Sequence, residues 1–320
     1  MQAVKIHGAG GVEVLEIVEA PTPAPGPEQV RIKVAAAGLN RADCLQRRGF
    51  YPAPAGAPPD IPGLEFSGTV DSVGAGADWA VGDRVMGITG GGAMATHLLA
   101  HTRMLMRIPD SLSLDQAAAV PEVFLTAYDA MMIQGGLDVG QTVLIHAVGS
   151  GVGTAAIQLA RAAGARSIGT SRSADKLERC TKLGLDAGVV ADDQMAFDAE
   201  PDLILDLIGG KYLDVNVRTI KPKGRIIVVG LLGGTHAGLD LGVLLRKRVS
   251  ITGTVLRSRP LEEKATVTQL FAQRVVPLFE SGALVPVIDD VLPMTDIREA
   301  HARMETNQTF GKLVLSWDTN

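Results

Sequence analysis

Cysteine is scarce in this chain. Cys44 and Cys180 are the only two among 320 residues, and they lie far apart and outside any C-x-x-C pattern. A disulfide framework or a thiolate cage around a metal therefore gets no support. The sequence also lacks an apolar run of the roughly 18 residues that a membrane-spanning helix requires. Its N-terminus has no basic segment followed by an apolar run. We expect a cytoplasmic protein without a secretory signal and without a membrane partner.

An excess of positive charge is missing as well, and so are long runs of one charge. The formal net charge is -5, with 20% charged and 46% hydrophobic residues. This composition is typical of a soluble globular protein and gives no support to a nucleic-acid partner or an anionic membrane surface. The length exceeds the usual size of one hydrophobic core, so we expect two domains.

The pattern up to about residue 120 is short and β-like. The predicted strands cover residues 29–36, 65–73, 84–88 and 95–99, and clusters of glycine and proline separate them. These strands fit a compact antiparallel barrel or sandwich better than a parallel sheet.

After residue 120, apolar strands alternate with helices. Strands are predicted at 143–147, 166–170, 188–190, 202–207, 225–230 and 249–255, and helices at 152–163, 175–183 and 211–220. Alternation at this spacing is typical of a doubly wound parallel sheet. From Leu261 the chain returns to a long helix and short strands, which we expect to pack against the first domain.

A glycine-rich turn lies between the first of these strands and its helix, in HAVGSGVGTAAIQLARAAGA, residues 146–165. It departs from the G-x-G-x-x-G pattern, but it follows a strand and opens a helix, which is the context that brings backbone N–H groups to a pyrophosphate. The small side chain of Ser150 does not block that approach. The alternative is an ordinary turn. We predict a dinucleotide site at Gly149, Ser150, Gly151, Val152 and Gly153.

The end of the next strand indicates which dinucleotide binds. NAD binding expects an acidic residue roughly 20 positions after the glycines, but this chain has GTSRSADK, with Ser171, Arg172, Ser173 and Lys176. Arg172 can meet a 2′-phosphate with paired donors and Lys176 with a point charge. The alternative is that Arg172 is only solvated. The pattern predicts NADPH rather than NADH as cofactor.

Eight segments together resemble a known family. They are GLNRADCLQRRGFY, PGLEFSGTV, VGDRV, PEVFLTAYDAM, HAVGSGVGTAAIQLA, KGRIIVVG, GTVLRSR and FGKLVL. The chain resembles, over essentially its whole length, the zinc-independent quinone oxidoreductase branch of the medium-chain dehydrogenase/reductases. It is most similar to the tumour-suppressor-induced type of that branch, and more distantly to zeta-crystallin.

The resemblance implies an α/β fold with two domains. A GroES-like, β-rich catalytic domain would begin at residues 1–121 and be completed by a C-terminal return at residues 259–320. A Rossmann domain with a doubly wound parallel sheet would bind NADPH at residues 122–258.

The resemblance also implies the loss of zinc. Zinc-dependent relatives have a cysteine near the GLNRAD segment and a histidine in a G-H-E motif, where this chain has Asn40 and Leu64. Neither can supply the ligand that a tetrahedral zinc site uses. His97 and His101 do not replace them, because a spacing of four does not converge in a β-like region. We expect no metal and no oxidation of a metal-bound alkoxide.

Matching positions in the family give candidate site residues. Asn40 and Tyr51 would line the substrate pocket, and Thr126 would contact the nicotinamide. Tyr51 can donate to a carbonyl, stack on a ring or simply pack a proline-rich loop, and Lys312 can be a surface lysine. Arg257 and Arg259 can be domain-boundary charges. Further cofactor contacts are expected from Gly230, Leu256, Asn307 and Lys312.

Three hypotheses for function follow. The first is an NADPH-dependent reductase of a small-molecule quinone or enone, with direct hydride transfer, Asn40 and Tyr51 as donors to the carbonyl oxygen, and water as the final proton source. The second is an enoyl-thioester reductase. The third is an NADPH-binding structural or regulatory protein of the crystallin kind.

Residues 249–255 form an apolar predicted edge strand, so we expect a homodimer in which this strand pairs with its symmetry mate.

Overall fold

The structure is a computed structural model that describes residues 1–191 and 200–317. The chain divides into two compact units. The first takes the described residues of Met1–Leu125 and Leu256–Asn320, and the second those of Thr126–Val255. The sequence predicts domain limits after residues 121 and 258, close to these divisions, and those limits remain our proposal for the two domains.

The first stretch of the chain is rich in strands. In β3, for example, Val30, Ile32 and Val34 are buried whereas Arg31 and Lys33 are more exposed, the period of two expected of a strand with one buried face. The elements are β1 (Gln2–Ile6), β2 (Leu15–Glu19), β3 (Gln29–Leu39), α1 (Arg41–Arg47), β4 (Glu65–Val73), β5 (Arg84–Ile88), β6 (His97–His101), β7 (Leu105–Arg107), α2 (Leu114–Ala118) and α3 (Pro121–Tyr128), with short 3-10 helices at Val12–Val14 and Thr102–Met104.

The second unit alternates strands and helices. A π-helix at Asp129–Gln134 is followed by β8 (Thr142–Ile145), α4 (Gly151–Ala162), β9 (Arg166–Ser171), α5 (Ala174–Thr181), β10 (Ala187–Val190), β11 (Leu203–Asp206), α6 (Tyr212–Thr219), β12 (Arg225–Val228), α7 (Leu241–Lys247) and β13 (Ser250–Gly253). All strand pairs are parallel, in the order β10-β9-β8-β11-β12-β13. This is the Rossmann order, which reverses between β8 and β11. The predicted doubly wound sheet is confirmed.

The C-terminal segment returns to the first unit. It forms α8 (Leu261–Arg274), α9 (Val276–Glu280), β14 (Ile288–Pro293), a 3-10 helix at Met294–Asp296, α10 (Ile297–Glu305) and β15 (Lys312–Ser316). Strand β15 pairs with β3 on one side and β14 on the other, so the sheet order is β14-β15-β3-β4-β5-β7, with β6 also paired to β3. Strand β15, the last strand among the residues described, therefore lies inside this sheet and not at its edge.

The first unit buries its core between this sheet and the C-terminal helix α10. Apolar side chains of β3, β4, β5 and β15 pack with Ile297, Ala300 and Met304 of that helix. Within residues 1–191 and 200–317, each helix is too short or too polar to span a lipid bilayer.

Candidate active site and cofactor loop

The glycine-rich turn has the geometry of an anion-binding loop. Ser150 precedes α4, and its Oγ accepts a hydrogen bond from the N–H of Gly153 at 3.1 Å. A Cβ on Gly153 would lie 2.4 Å from the carbonyl oxygen of Val148, so only glycine fits there. Gly151 and Val152 open the helix, where N–H groups have no intrahelical acceptor and the helix dipole favours an anion.

The end of β9 comes to the same loop. A Cβ on Gly149 would lie 2.9 Å from Cδ of Lys176, so the lysine stem lies against the turn. Arg172 is exposed directly after β9, and Ser173 caps α5 by accepting from the N–H of Lys176 at 3.3 Å. The structure thus brings both predicted cofactor segments together. A glycine turn in contact with Lys176, with Arg172 at the end of the neighbouring strand, fits the phosphates of a dinucleotide that carries a 2′-phosphate.

A buried polar network supports the loop from behind. The Nε2–H of His146 donates to Oδ1 of Asn216 at 2.7 Å, and Nδ1 accepts from the Thr170 hydroxyl at 2.9 Å. This tautomer follows because the Asn216 amide donates to Asp206 at 3.0 Å. Burial lowers the pKa of His146, so the ring is neutral. The network joins the ends of β8, β9 and β11 to α6. It fixes the edge of the sheet from which the loop departs.

The first unit contains a buried ion pair. Lys312 and Glu65 are 3% and 0% exposed, and Nζ of Lys312 lies 2.6 Å from Oε1 of Glu65. The ammonium also donates to Oδ1 of Asn40 and to the Leu39 carbonyl, at 2.7 Å each. The Asn40 amide donates in turn to Glu65 at 2.9 Å and to the carbonyl of Gly38 at 3.2 Å. Both amide hydrogens of Asn40 therefore have acceptors within this cluster.

A second buried charged residue, Arg257, contacts Tyr51. Arg257 donates to the carbonyl of Tyr51 at 3.1 Å, to Oε1 of Gln46 at 2.6 Å and to the carbonyl of Gly90 at 2.7 and 2.9 Å. Its guanidinium carbon lies 5.0 Å from the centre of the Tyr51 ring, within cation–π range. Burial raises the pKa of Tyr51, so its hydroxyl stays a neutral donor.

Two further carboxyl groups belong to the same cluster. Asp43 accepts from the N–H groups of Asn40 and Gly63, both at 2.9 Å, while burial raises its pKa to about 6. The N–H of Glu122 donates to Oε2 of Glu65 at 2.8 Å. Burial, and next the charge of Glu65, raise the pKa of Glu122 to about 8. The cluster therefore holds an ionic pair and a carboxyl group that keeps its proton at neutral pH.

The structure groups some of the predicted site residues and separates others. Asn40 and Lys312 touch one another and Tyr51 belongs to the same unit, whereas the alternative of a surface lysine at position 312 is wrong. Asn307 lies in an exposed turn after α10 and accepts from Arg41 at 2.5 Å. The remaining predicted residues are placed as follows: Thr126 is one turn beyond Glu122 in α3, Gly230 follows β12, and Leu256 is buried at the start of the C-terminal return.

Sequence reasoning missed four charged residues of this cluster. From the sequence, Asp43, Glu65 and Glu122 have no predicted role, and Arg257 is only a possible boundary charge. The available signal was an acid inside an apolar segment, as in PGLEFSGTV and PEVFLTAYDAM. A buried acid needs a partner, but the sequence does not say which residue provides it.

Comparison with known proteins agrees with this architecture. The model of the alcohol dehydrogenase GroES-like domain matches residues 26–110, and that of the zinc-binding dehydrogenases matches residues 151–273. Quinone oxidoreductase of Pseudomonas aeruginosa is 30% identical over 98% of this chain and 98% of its own length. The spectinabilin polyketide synthase system protein NorB of Streptomyces orinoci is 34% identical over 98% of this chain, which spans only 15% of NorB.

A solved structure extends the comparison to three dimensions. Escherichia coli quinone oxidoreductase complexed with NADPH superposes with a TM-score of 0.87 and 26% identity. The match covers 99% of this chain and all of the other. The fold is therefore shared over the full length of both chains.

The name of one family model mentions zinc, but the residues of the cluster do not fit that ion. Zinc in proteins is bound by cysteine, histidine or carboxylate groups in tetrahedral sets. In the described part of the chain, no three such side chains are grouped as ligands for one metal ion. The ammonium of Lys312 already neutralises Glu65, so a second cation there would be repelled.

The fold, the cofactor loop and the full-length similarity agree on one family. The GroES-like family model covers part of the β-rich unit, and the dehydrogenase model covers most of the unit with the parallel sheet. The two matches follow one another in the order expected along the chain. Members of this family are oxidoreductases that bind NADP(H). The chain belongs to the medium-chain dehydrogenase/reductase family, in its zinc-independent quinone oxidoreductase branch.

Proposed function

We propose that the protein reduces quinones or related conjugated carbonyl compounds with NADPH. The observation that supports the cofactor assignment is the contact of the glycine loop with Lys176, together with Arg172 at the end of β9, where an acid would select NADH. The quinone relatives support the choice of acceptor. NADPH, when bound, supplies a hydride to the acceptor.

The side chains of the first unit act on the acceptor. Reduction places negative charge on a carbonyl oxygen, so hydrogen-bond donors near that oxygen lower the barrier. The hydroxyl of Tyr51, positioned by Arg257, is the donor that we propose for this oxygen. Asn40, whose amide hydrogens bind Glu65 and Gly38, orients the ion pair of Glu65 and Lys312.

An enoyl-thioester reductase is the second candidate. It is favoured by the similarity to CurK enoyl reductase, whose structure superposes with a TM-score of 0.84 and 26% identity over 98% of this chain. Such an acceptor is also a conjugated carbonyl compound, so the same donors would serve it.

A homodimer joined through β13 and a cytoplasmic location remain proposals that complete this description.

Oxidation of NADPH, followed by absorbance, tests these functions. The panel contains ortho- and para-quinones, simple enones and an enoyl thioester, each with NADPH and with NADH. We expect the highest kcat/KM for a quinone with NADPH. A preference for the enoyl thioester would move the assignment to the second candidate. Tight NADPH binding without turnover of any acceptor would contradict both.

A further inference from the structure

Glu122 differs from the other two acids of the cluster. Both oxygens of Glu65 accept hydrogen bonds, and Asp43 accepts from the backbone of Asn40 and Gly63. In the described part of the chain, the carboxyl group of Glu122 receives no hydrogen bond from another residue, and the side chain stays partly exposed. It is therefore the acid of this cluster that can reach a bound molecule.

The groups around Glu122 come from every element of the cluster. Its charge interacts with Glu65 of β4, Lys312 of β15, Asp43 of α1 and Arg257 of the C-terminal return. The charge of Glu122 also raises the pKa of the Tyr51 phenol, after burial, which raises it most, and Arg257, which lowers it. The Tyr51 phenol and the Glu122 carboxyl group are therefore electrostatically coupled within the first unit.

The proton of Glu122 is retained at neutral pH for two reasons. Burial disfavours the carboxylate and raises the pKa of Glu122 to about 8, and the negative charge of Glu65 adds to this effect. The positive charges of Lys312 and Arg257 act in the opposite direction and limit the rise. An acid whose pKa is close to the working pH is well suited to donate a proton in a transition state.

We propose that Glu122 is the catalytic acid that delivers a proton to the carbonyl oxygen of the reduced acceptor. This inference rests on the proposed reductase function. It replaces water, which the sequence suggested as the final proton source, by a named side chain. Tyr51 would donate a hydrogen bond to the same oxygen without losing its own proton.

The chemistry balances in three steps. A quinone that accepts a hydride from NADPH gains two electrons and becomes a hydroquinone monoanion, while the cofactor leaves as NADP⁺. The O–H bond of Glu122 then breaks as a new O–H bond forms on the anionic oxygen, which gives the neutral hydroquinone and the Glu122 carboxylate. A proton from solvent restores the acid. For an enone, the same step protonates the oxygen of the enolate.

The position of Glu122 in the first turn of α3 suits this step. The helix dipole is positive at this end, so it stabilises the carboxylate that remains after the proton has left. Partial exposure of the side chain gives solvent a route to return the proton.

The test compares wild type with Glu122→Gln and Glu122→Asp, and with Glu299→Gln on the exposed face of α10 as a matched control. The kcat for a quinone is measured from pH 6 to pH 10, and NADPH affinity is measured by fluorescence. We expect wild-type kcat to fall as the pH rises through about 8. The Gln variant should lose roughly 10²-fold in kcat together with that pH dependence. The Asp variant should recover part of the rate, and the control should match wild type.

A second measurement does not depend on turnover. Infrared difference spectra between pH 6 and pH 10 should show the loss of a protonated carboxyl band in wild type that Glu122→Gln lacks. If the band is present but no quinone is reduced, the proposed function fails and Glu122 is not a catalytic acid. If quinones are reduced and Glu122→Gln keeps the wild-type rate and pH profile, the catalytic role of Glu122 is overturned and the reductase function stands.

Discussion

Lys312 and Glu65 form a buried ion pair at 2.6 Å, although they lie in strands β15 and β4, 247 positions apart in the sequence. Each charge is fully enclosed by protein, so each depends on the other for compensation. The pair also orients Asn40 and, through the Glu122 N–H, the start of α3. A single contact thus fixes the ends of β3, β15 and α3 in the region that we propose binds the acceptor.

The first prediction concerns the stability that this pair provides. Replacing Lys312 by Met leaves the Glu65 carboxylate buried without its cation, so we expect a loss of about 3–5 kcal/mol in the free energy of unfolding. Urea denaturation measures it. Lys5→Met is the control, because Lys5 pairs with Asp60 at the surface at 3.1 Å. That substitution should cost less than about 1 kcal/mol. Equal losses for the two variants would contradict the role of the buried pair.

The second prediction concerns acid stability. His301 is buried, with Nη1 of Arg47 3.4 Å from its Nδ1, and burial lowers its pKa to about 3. The unfolded chain binds a proton here below about pH 6.5 whereas the folded chain does so only near pH 3, so stability falls as the pH drops between these values.

The check is a comparison of urea denaturation at pH 7, 6 and 5 for wild type and His301→Gln. Below pH 6.5 the stability of wild type relative to the variant should fall by up to about 1.4 kcal/mol per pH unit. The difference removes the effects of Asp43 and Glu122, whose raised pKa values change stability in the opposite direction. Parallel pH profiles would show that His301 is not the titrating group.

The third prediction concerns the choice of cofactor. Arg172→Glu puts a negative charge at the end of β9, where a 2′-phosphate would lie, so NADPH should bind more weakly and the preference over NADH should flatten or reverse. Fluorescence titration with both cofactors measures the change. Arg166→Glu, at the other end of the same strand, keeps the net charge of the first variant and should leave the preference unaltered. Unchanged NADPH affinity in Arg172→Glu would exclude Arg172 from the site.

The fourth prediction concerns the donor to the carbonyl oxygen. Tyr51→Phe removes one hydroxyl and leaves the ring in place against Arg257, so kcat for a quinone should fall, by less than about 10²-fold because quinones are reactive acceptors. NADPH affinity should not change. For Asn40→Ala we expect stability to fall more than kcat, since its amide serves the ion pair. Full turnover by Tyr51→Phe would reduce Tyr51 to a packing role.

The fifth prediction concerns assembly. β13 is the edge of the parallel sheet, and the N–H groups of Ser250 and Thr254 donate toward β12, so the N–H of Gly253 faces away from it. Gly253→Pro removes that outward donor, and Gly253→Ala keeps it. Space is open around this position. We expect wild type and the Ala variant to sediment as dimers and the Pro variant to shift toward monomer. A monomeric wild type at micromolar concentration would contradict the dimer.

Local patterns predicted the elements well and the site only in part. The limits predicted for the strand at 65–73 match β4, because alternation of apolar residues sets both face and length, whereas the strand predicted at 95–99 lies two residues later, at His97–His101. The glycine loop and Arg172 are close in sequence, so their grouping could be predicted. Asn40 and Lys312, 272 positions apart, are brought together only by the pairing of β15 with β3. A contact between such distant residues leaves no periodic pattern in the sequence, so the charged cluster could not be predicted from it.

The location of β15 inside its sheet has a consequence for synthesis on the ribosome. Until residues 312–316 emerge from the ribosome, β3 has an open edge where β15 will pair, and Glu65 lacks the counter-ion Lys312. Residues 126–255 form a contiguous unit and can fold as soon as they are translated, whereas residues 1–125 must wait for the C-terminal segment. While residues 126–311 are synthesised, residues 1–125 therefore carry an unpaired strand edge, which makes them prone to aggregation and a candidate for binding by a chaperone.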